Sequence, residues 1–210
     1  KVRIVDAWKA QGKVVSMSGD GVNDAPSIKR ADIGVGMAIT GTDVTKNVAD
    51  MVLADDNFAT IVSAVGEGRR IYDNIKKAIQ FLLSSNISEV VSIFTATMLG
   101  FTILKPVHIL WVNLLTDTFP ALALGMEDKE DDIMSRPPRP KEEGLFADKM
   151  AFDVIFQGIM ISVITLVAYF VGHYIETGVF EITESLDGMT MAFLTMSMTE
   201  IFHSFNMRSR

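Results

Sequence analysis

Oxygen-bearing side chains are concentrated in two stretches of the 210-residue sequence, and the first is a loop at residues 19–26, GDGVNDAP. Its two glycines allow the backbone to approach a bulky anion. Asp20 and Asp24 offer the hard carboxylate oxygens that suit Mg²⁺, and Asn23 can hydrogen-bond a phosphoryl oxygen. Asp-Gly and Asn-Asp pairs are also ordinary turn formers, but the full string is far less frequent by chance. The loop therefore predicts a site for a phosphoryl group and a magnesium ion.

The second stretch carries an amide, a hydroxyl and a carboxylate in an apolar segment. Asn113, Thr116 and Asp117 stand at positions i, i+3 and i+4, which share one helical face. Pro120 weakens the backbone hydrogen bonds nearby, so carbonyl oxygens become available as further ligands. Hard oxygens in this number suit Ca²⁺, which takes about six to eight of them. This segment predicts a cation site.

Three further oxygen donors lie in the apolar part of the sequence. Asn86 and Glu89 are three residues apart, so we expect them to share a helical face, and Glu200 lies in the last apolar segment. An ionisable group in a spanning helix costs roughly 2.5 to 3.5 kcal/mol on insertion scales, which favours an ion or proton pathway. The alternative is a glutamate paired to a neighbouring helix. We interpret His108 and His203 as packing or interface residues rather than ligands.

The first 70 residues alternate helical and strand patterns, which predicts an α/β parallel sheet with ligands at the carboxyl ends of its strands. Asp20 and Asp55 lie at the carboxyl ends of two of these strands, and Asp55 follows its strand directly. The predicted helices are 1–11, 27–31 and 58–70, and the predicted strands are 14–17, 33–37 and 51–54. The last helix carries an apolar face that we expect to pack on the sheet, formed by Phe58, Ile61, Val62 and Val65.

The remaining sequence contains four candidate membrane spans, each near the ~20 residues that a helix needs to cross hydrocarbon. These spans are residues 79–99, 107–126, 152–172 and 189–207. The fourth is the most polar, and its alternative is an amphipathic helix on the membrane surface. The loop 127–148 is charged and rich in proline, so we expect neither a core nor a helix there.

Lysine and arginine residues flank the spans unevenly. They cluster before the first span, between the second and third, and after the fourth, which predicts that the α/β part, the long loop and the C-terminus are cytoplasmic. The acidic loop 177–187 then faces outward. The cations counted are Arg69, Arg70, Lys76, Lys77, Lys129, Arg136, Arg139, Lys141, Lys149, Arg208 and Arg210.

The composition limits the function classes. The net charge of −7 excludes a generally basic nucleic-acid surface, and the absence of cysteine excludes disulfides and thiolate metal sites. A mean hydropathy of +0.29 agrees with a chain that is partly embedded in a membrane. The polar opening has no signal-peptide pattern, and we expect the sequence to be part of a longer protein.

Residues 18–26 (SGDGVNDAP) and the following 29–37 (KRADIGVGM) resemble the hinge motif of the P-type cation pumps, whose phosphorylation domain has a haloacid-dehalogenase-like, Rossmann-like fold. The resemblance implies that Asp20 holds Mg²⁺ beside an aspartyl phosphate and that Asn23 and Asp24 support the phosphoryl site. It places Lys1 where the family keeps a phosphate-neutralising lysine. Residues 133–138 (IMSRPP) are similar to a motif of the sarcoplasmic-reticulum-like calcium pumps.

This resemblance implies an α/β phosphorylation domain followed by a helical transmembrane bundle. We expect part of the phosphorylation domain at 1–70, a linker helix with two spans at 71–126, a cytoplasmic loop at 127–149, and two further spans with an external loop at 150–210. The family's phosphorylated DKTGT motif and its nucleotide domain are not in the sequence. ATP would then be bound mainly by other domains of the same pump, and these 210 residues alone should not turn over ATP.

The resemblance also implies the transport chemistry. We expect two Ca²⁺ sites, in exchange for H⁺, in a monomeric multi-pass protein of the bacterial cell membrane with lipid as its surroundings. The first site would take Asn86, Glu89, Thr116, Asp117 and Glu200. The second would take Asn113 and Asp117. The alternatives are a P-type pump for Na⁺, H⁺ or Mn²⁺, a cation channel, and a membrane-anchored phosphatase.

Overall fold

The computed structural model describes residues 1–140, 143–147 and 149–208. Within them the chain forms two compact units. The first comprises residues 1–69 and the described part of 132–141, and the second comprises residues 70–131 and the described part of 142–210. Lys141 and Arg210, which contributed to the charge count, and Asp148, the predicted end of the long loop, lie outside the described residues.

The first unit contains a three-stranded parallel sheet formed in order by β1 (Ser16–Gly19), β2 (Ile33–Met37) and β3 (Met51–Leu53), so the predicted parallel sheet is confirmed. Ser16 of β1 pairs with Ile33 of β2, and Val35 of β2 pairs with Met51 of β3. The elements are α1 (Val2–Ala10), β1 (Ser16–Gly19), a 3₁₀ turn (Val22–Asp24), α2 (Ala25–Arg30), β2 (Ile33–Met37), α3 (Asp43–Val48) and β3 (Met51–Leu53).

The first strand begins later than the apolar run predicts. Val14 is 57% exposed, and β1 starts at Ser16 and is only half-buried. The backbone N–H of Val15 donates to the side-chain carboxylate of Asp32 at 2.9 Å. The N–H of Val15 is therefore bonded to a side chain, and the pairing of the strands begins one residue later. The prediction of a buried strand from residue 14 is therefore wrong at its start.

Two helix predictions also change. Helix α2 starts at Ala25 rather than Ser27, since Pro26 occupies its first turn, where a missing N–H costs nothing. Helix α3 was not predicted. It is initiated by Thr42, whose hydroxyl accepts a hydrogen bond from the N–H of Thr45 at 3.4 Å.

The predicted packing of the helix at 58–70 on the sheet is wrong. Phe58, Val62 and Val65 are exposed. The buried side of this segment is instead the side of Gly66, where an added Cβ would lie 3.5 Å from the sulfur of Met134. On that side Arg69 donates from its guanidinium to the carbonyl oxygens of Ile133 and Arg136, at 2.7 and 2.8 Å.

The second unit is helical, and helix α4 (Phe58–Leu99) enters it at residue 70 as one continuous helix of 42 residues. Small residues let its helices approach closely, since a Cβ added at Gly158 would lie 2.5 Å from Ile87. The other elements are α5 (Pro106–Trp111), a π-helical turn (Val112–Asp117), α6 (Thr118–Gly125), α7 (Met150–Thr177) and α8 (Leu186–Asn206).

Three helical segments of the described chain are long and apolar enough to cross a membrane: Phe58–Leu99, Pro106–Gly125 and Met150–Thr177. They contain the first three predicted spans. The fourth predicted span forms helix α8, but α8 does not reach the same apolarity because it carries several hydroxyl groups, a glutamate and a histidine. The four-span orientation therefore stays a prediction.

Two apolar clusters pack the helices of the second unit. One surrounds the stacked rings of Phe101 and Tyr169, whose centroids are 4.4 Å apart. The other contains Phe81, Leu124 and Met207. Along α4 and α8 the buried glutamates fall between residues of the two clusters, so the polar groups occupy the middle of the unit.

Candidate functional site

The predicted phosphoryl loop of the first unit is built around a contact between Lys1 and Asp24. The Lys1 ammonium donates to Asp24 Oδ1 at 2.6 Å; the Asp24 side chain is 9% exposed and that of Lys1 is 55% exposed. A Cβ at Gly19 would lie 2.5 Å from the Cβ of Asp24, so only glycine fits at that position. The hydrogen bond from Lys1 lowers the pKa of Asp24, outweighing the opposing effect of burial, and the Lys1 charge lowers it further.

Asp20 and Asn23 lie in the same loop with exposed side chains. Asp20 directly follows β1 at the carboxyl edge of the sheet, and its backbone carbonyl accepts from the N–H of Thr42 at 2.9 Å. Lys1, Asn23 and Asp24 line an open depression of about 700 Å³, together with Arg3, which sequence reasoning missed. Two cations beside exposed polar groups suit an anion, and the Asp20 carboxylate is a suitable donor for Mg²⁺.

Asp55, the other acid predicted at this edge, has a local structural role. Its carboxylate accepts from the N–H of Asn57 at 3.1 Å and from the hydroxyl of Thr60 at 2.7 Å, and so joins the turn to the start of α4. Desolvation opposes ionisation of the neighbouring Asp56, but hydrogen bonds from the backbone of Ile39 and Thr40 lower its pKa to about 2. Both acids hold loops in place.

In the second unit, Glu89 and Asn113 form a direct pair between α4 and the π-helical turn. The Asn113 amide donates to both carboxylate oxygens of Glu89, at 2.8 and 3.0 Å, and to the carbonyl of Ile109 at 3.0 Å. Glu89 is buried. A buried carboxylate is thus held by a neutral donor, which leaves its negative charge uncompensated by this contact.

Glu200 of α8 is fully buried and points to Thr116. The Thr116 hydroxyl donates to the Val112 carbonyl at 2.8 Å, and its oxygen lies 3.2 Å from Glu200 Oε2, within hydrogen-bond distance. Among the described residues Glu200 Oε1 has no hydrogen-bond partner. Although α8 is the least apolar of the candidate spans, its glutamate lies inside the unit.

Asp117 is the most isolated of the three acids. It is buried, and neither carboxylate oxygen has a hydrogen-bond partner within the described part of the chain. Ser85 and Glu89 are near enough to interact with it electrostatically, and Glu200 interacts with both Asp117 and Glu89. Three acids that share one buried region repel one another unless cations or protons enter.

The described residues nevertheless hold no group of three or more His, Asp or Glu side chains already arranged to bind a metal ion. The three acids share a region without converging on one point. The arrangement can take up positive charge, and binding a metal there requires the side chains to move closer together.

The backbone beside these acids is irregular, as the position of Pro120 predicts. Residues Val112–Asp117 form a π-helical turn, a feature that is frequent at functional sites. The Asn113 carbonyl accepts a hydrogen bond from the side-chain hydroxyl of Thr118 at 2.9 Å. This turn widens the helix where Asn113, Thr116 and Asp117 lie.

The structure does not bring Asn86 into this group. Its side chain is exposed, and its amide donates to the Leu82 carbonyl of the same helix at 2.7 Å. Three residues of an α-helix turn through about 300°, so Asn86 and Glu89 point roughly 60° apart. The edge of the buried face falls between them, and the prediction that both lie on it is wrong.

Sequence reasoning missed the serines around the acids. Ser85, whose hydroxyl is buried without a hydrogen-bond partner among the described residues, interacts with Asp117, and Ser88 interacts with Glu200. A usable signal was the repetition of serine at positions 84, 88 and 92, the spacing at which small residues allow close helix contacts. The two histidines that we interpreted as packing residues contact aromatic rings: His108 stacks on Phe193 with 4.7 Å between centroids, and His203 lies 6.0 Å from the ring of Phe81.

A small parallel sheet, together with helices that are long and apolar enough to span a membrane and that enclose acids, defines part of a multi-pass membrane protein. The comparison with protein families gives the particular group. Residues 101–210 match the family described as cation transporting ATPase, C-terminus, and the chain belongs to this family. The resemblance to the cation pumps is thereby confirmed.

Relatives from distant organisms are similar to the chain. Over its whole length it is 52% identical to a calcium-transporting ATPase 1 of Bacillus cereus, of which it covers 25%. Over 91% of its length it is 48% identical to calcium-transporting ATPase 4, endoplasmic reticulum-type, of Arabidopsis thaliana, of which it covers 18%. Over 80% of its length it is 51% identical to the endoplasmic reticulum calcium ATPase srcA of Aspergillus fumigatus, of which it covers 17%. The chain spans about a quarter or less of the length of these relatives.

Proposed function

We propose that the chain is the C-terminal part of a P-type pump that moves Ca²⁺ across a membrane, driven by ATP through an aspartyl-phosphate cycle. The observation that carries the proposal is the buried set of Glu89, Asp117 and Glu200, with neutral oxygen donors beside it, in a chain of the cation-transporting ATPase family. The relatives are named as calcium-transporting or calcium ATPases, which supports calcium as the transported ion.

The sheet of the first unit is proposed to be part of a haloacid-dehalogenase-like phosphorylation domain. Asp20 would hold Mg²⁺, which when bound neutralises charge on a transferring phosphoryl group. Lys1 and Asn23 would face the phosphoryl oxygens, and Asp24 would hold Lys1 in place through the 2.6 Å contact. ATP would be bound mainly by domains of the pump outside these 210 residues.

In the second unit two Ca²⁺ ions are proposed to bind per cycle. One site would use Glu89, Thr116, Asp117 and Glu200, and the other Asn113 and Asp117. Two ions bring four positive charges, which three acids here and one acid expected elsewhere in the pump would balance. When the ions leave, the same acids repel one another in low dielectric, which favours the uptake of H⁺ in exchange.

The proposed role of Asn86 requires a side-chain movement. Its amide would have to leave the Leu82 carbonyl and turn toward Glu89 before its oxygen joined the first site. The pump would operate as a monomer in the bacterial cell membrane, with the first unit cytoplasmic. A reporter fused after residue 210 is expected to give a cytoplasmic signal, and an external signal would contradict the four-span arrangement.

The test of the proposal is phosphorylation of the full-length protein from radiolabelled ATP at graded Ca²⁺. Ca²⁺-dependent, acid-stable phosphoenzyme is the expected result, together with ATP-driven Ca²⁺ uptake into vesicles. A cation channel would conduct without ATP, and a phosphatase would act without Ca²⁺. Phosphorylation that depends on Na⁺, H⁺ or Mn²⁺ instead would support a pump of different selectivity.

A second test uses residues 1–210 alone. We expect ATP hydrolysis at background, because phosphoryl transfer through a covalent intermediate needs its nucleophile as well as its positioning groups. Substantial Mg²⁺-dependent turnover by this polypeptide would contradict the proposal that the nucleophile and most of the ATP site lie outside these 210 residues.

A further inference from the structure

A buried hydrogen bond joins α4 to α8 beside the proposed ion sites. His203 Nε2 lies 3.2 Å from the hydroxyl oxygen of Ser84. Ser84 is fully buried and His203 is 6% exposed. The imidazole also packs against the ring of Phe81, with 6.0 Å between the ring centroids. This contact between polar groups of two helices has no part in the proposed ligand sets.

The direction of this hydrogen bond follows from the number of protons available. A serine hydroxyl has one proton to donate, and Ser84 donates it to the Phe81 carbonyl at 2.8 Å. The Ser84 oxygen must therefore accept from His203, so the proton of the neutral imidazole resides on Nε2. His203 acts as a donor whose partner is fixed by the backbone of α4.

The hydrogen bond between His203 and Ser84 lies close to a buried acid on each of the two helices. His203 follows Glu200 by three residues on α8, so the two side chains are one turn apart on the same side. Ser84 precedes Glu89 by five residues on α4. The bond therefore joins the helices that carry two of the three buried acids, within about one to one and a half turns of each.

A second contact joins α4 to the residues just after α8, and it lies farther from Glu200. Lys77 donates to the carbonyl of Arg208 at 2.7 Å and to Glu130 at 3.0 Å. Arg208 is eight residues beyond Glu200. This contact holds the residues just after α8, whereas His203 lies within one turn of Glu200.

We infer that His203 is a positioning residue for the ion sites: its Nε2–H bond to Ser84 fixes the rotation of α8 that directs Glu200 to Thr116. The inference rests on the proposed calcium transport. Without the bond α8 loses a contact with α4 that lies one turn from Glu200, so the Glu200 carboxylate is held less firmly at Thr116. Groups that orient a metal ligand are typically worth 10- to 100-fold in metal affinity, and we expect about a 10-fold loss for this one.

The test measures the Ca²⁺ dependence of phosphorylation from ATP in the full-length protein. His203→Leu removes the donor at similar size and is expected to raise the half-saturating Ca²⁺ concentration about 10-fold. His203→Gln keeps an N–H donor at a similar reach and is expected to stay within about 2-fold of wild type. Phosphorylation from inorganic phosphate without Ca²⁺ should remain at the wild-type level in both, which separates positioning from misfolding.

Two serine variants complete the design. Ser84→Ala removes the acceptor and should reproduce the shift, and the double variant with His203→Leu should be no worse than His203→Leu alone. If His203→Leu fails to accumulate, Ser84→Ala carries the same test with one atom removed. Ser92→Ala is the matched control, because Ser92 is another buried serine of α4, bonded to Ser162 at 3.0 Å, and it should behave like wild type.

The outcomes separate the inference from the proposed function. A wild-type protein that is not phosphorylated in a Ca²⁺-dependent manner overturns the proposed function and the inference with it. A wild type that responds to Ca²⁺, with His203→Leu and Ser84→Ala unchanged, overturns the inference alone. An equal impairment of His203→Gln and His203→Leu also overturns it, because the N–H donor is then irrelevant.

Discussion

Asp24 in the first unit and Asp117 in the second are both buried aspartates, yet they have opposite surroundings. Asp24 has the Lys1 ammonium at 2.6 Å. Both carboxylate oxygens of Asp117 lack a hydrogen-bond partner in the part of the chain that the structure describes, and the groups that interact with it are a serine and two glutamates. One charge is neutralised by the protein, and the other is not.

The difference shows how location decides what an acid can do. Lys1 is more than half exposed, so water stabilises its charge and the pair costs little to form. In the bilayer a permanent cation beside Asp117 would be costly to insert and would occupy the place of the ion in the proposed site. An acid that the fold leaves uncompensated can take up a cation or a proton, as the proposed exchange of Ca²⁺ for H⁺ requires.

The largest effect is expected from Asp117→Asn in the full-length protein. It removes a ligand and the charge that offsets a divalent cation, and truncating one member of a desolvated charge pair costs about 2 to 5 kcal/mol or more. Ca²⁺-dependent phosphorylation from ATP should be abolished, while phosphorylation from inorganic phosphate is retained. Normal calcium-activated phosphoenzyme would refute the role of Asp117.

Glu200→Gln tests how many ions the buried acids hold. We expect equilibrium binding of ⁴⁵Ca to the full-length protein to give two ions per molecule in wild type and about one in the variant, since Glu200 belongs to only one proposed site. A wild-type stoichiometry of one, or a variant that binds like wild type, would be fatal to the two-site arrangement.

Gly19→Ala tests the contact between Asp24 and Lys1 by displacing the Asp24 side chain. The new Cβ would lie 2.5 Å from the Cβ of Asp24 and must push that side chain away from Lys1. We expect the rate of phosphorylation from ATP to fall about 10-fold, a moderate part of the roughly 100-fold that a misplacement of 1 Å can cost. Gly68→Ala is the control, because a Cβ there meets nothing within 4 Å; an equal loss in both would argue against displacement of Asp24.

The smallest effect concerns the pH dependence of the Lys1–Asp24 contact. The folded-state pKa of Asp24 is lowered, so its stabilisation is present above the ordinary value near 3.9 and is lost as the pH falls through the lowered pKa. Lys1→Met should accelerate hydrogen exchange of β1 and α2 by less than about 5-fold at pH 6, as Lys1 is exposed. The difference from wild type should shrink as the pH falls below about 3.9 and vanish once Asp24 is protonated, and a difference that does not shrink would show that another contact holds the loop.

Much of the first unit follows from local signals in the sequence. The strand at 33–37 and the helix beginning at Phe58 lie where periodicity predicts them. Helix α3 has only the Thr42 cap as a signal, and its six residues are too few to show a helical period. The direction in which the helix after Phe58 buries a face has no local signal, because the residues it contacts, 133–136, are far along the chain.

For the buried acids the sequence determined which residues carry charge in apolar segments, and the spacing placed Asn113, Thr116 and Asp117 on one side of a helix. Only the tertiary structure decided their partners: Asn113 to Glu89, Thr116 to Glu200, and neither to Asp117. It also turned Asn86 outward. Spacing along one helix fixes angles about its own axis, whereas the rotation of each helix against its neighbours is set by contacts between residues distant in sequence. Those contacts, such as Gly158 on Ile87, decide which side of each helix is buried.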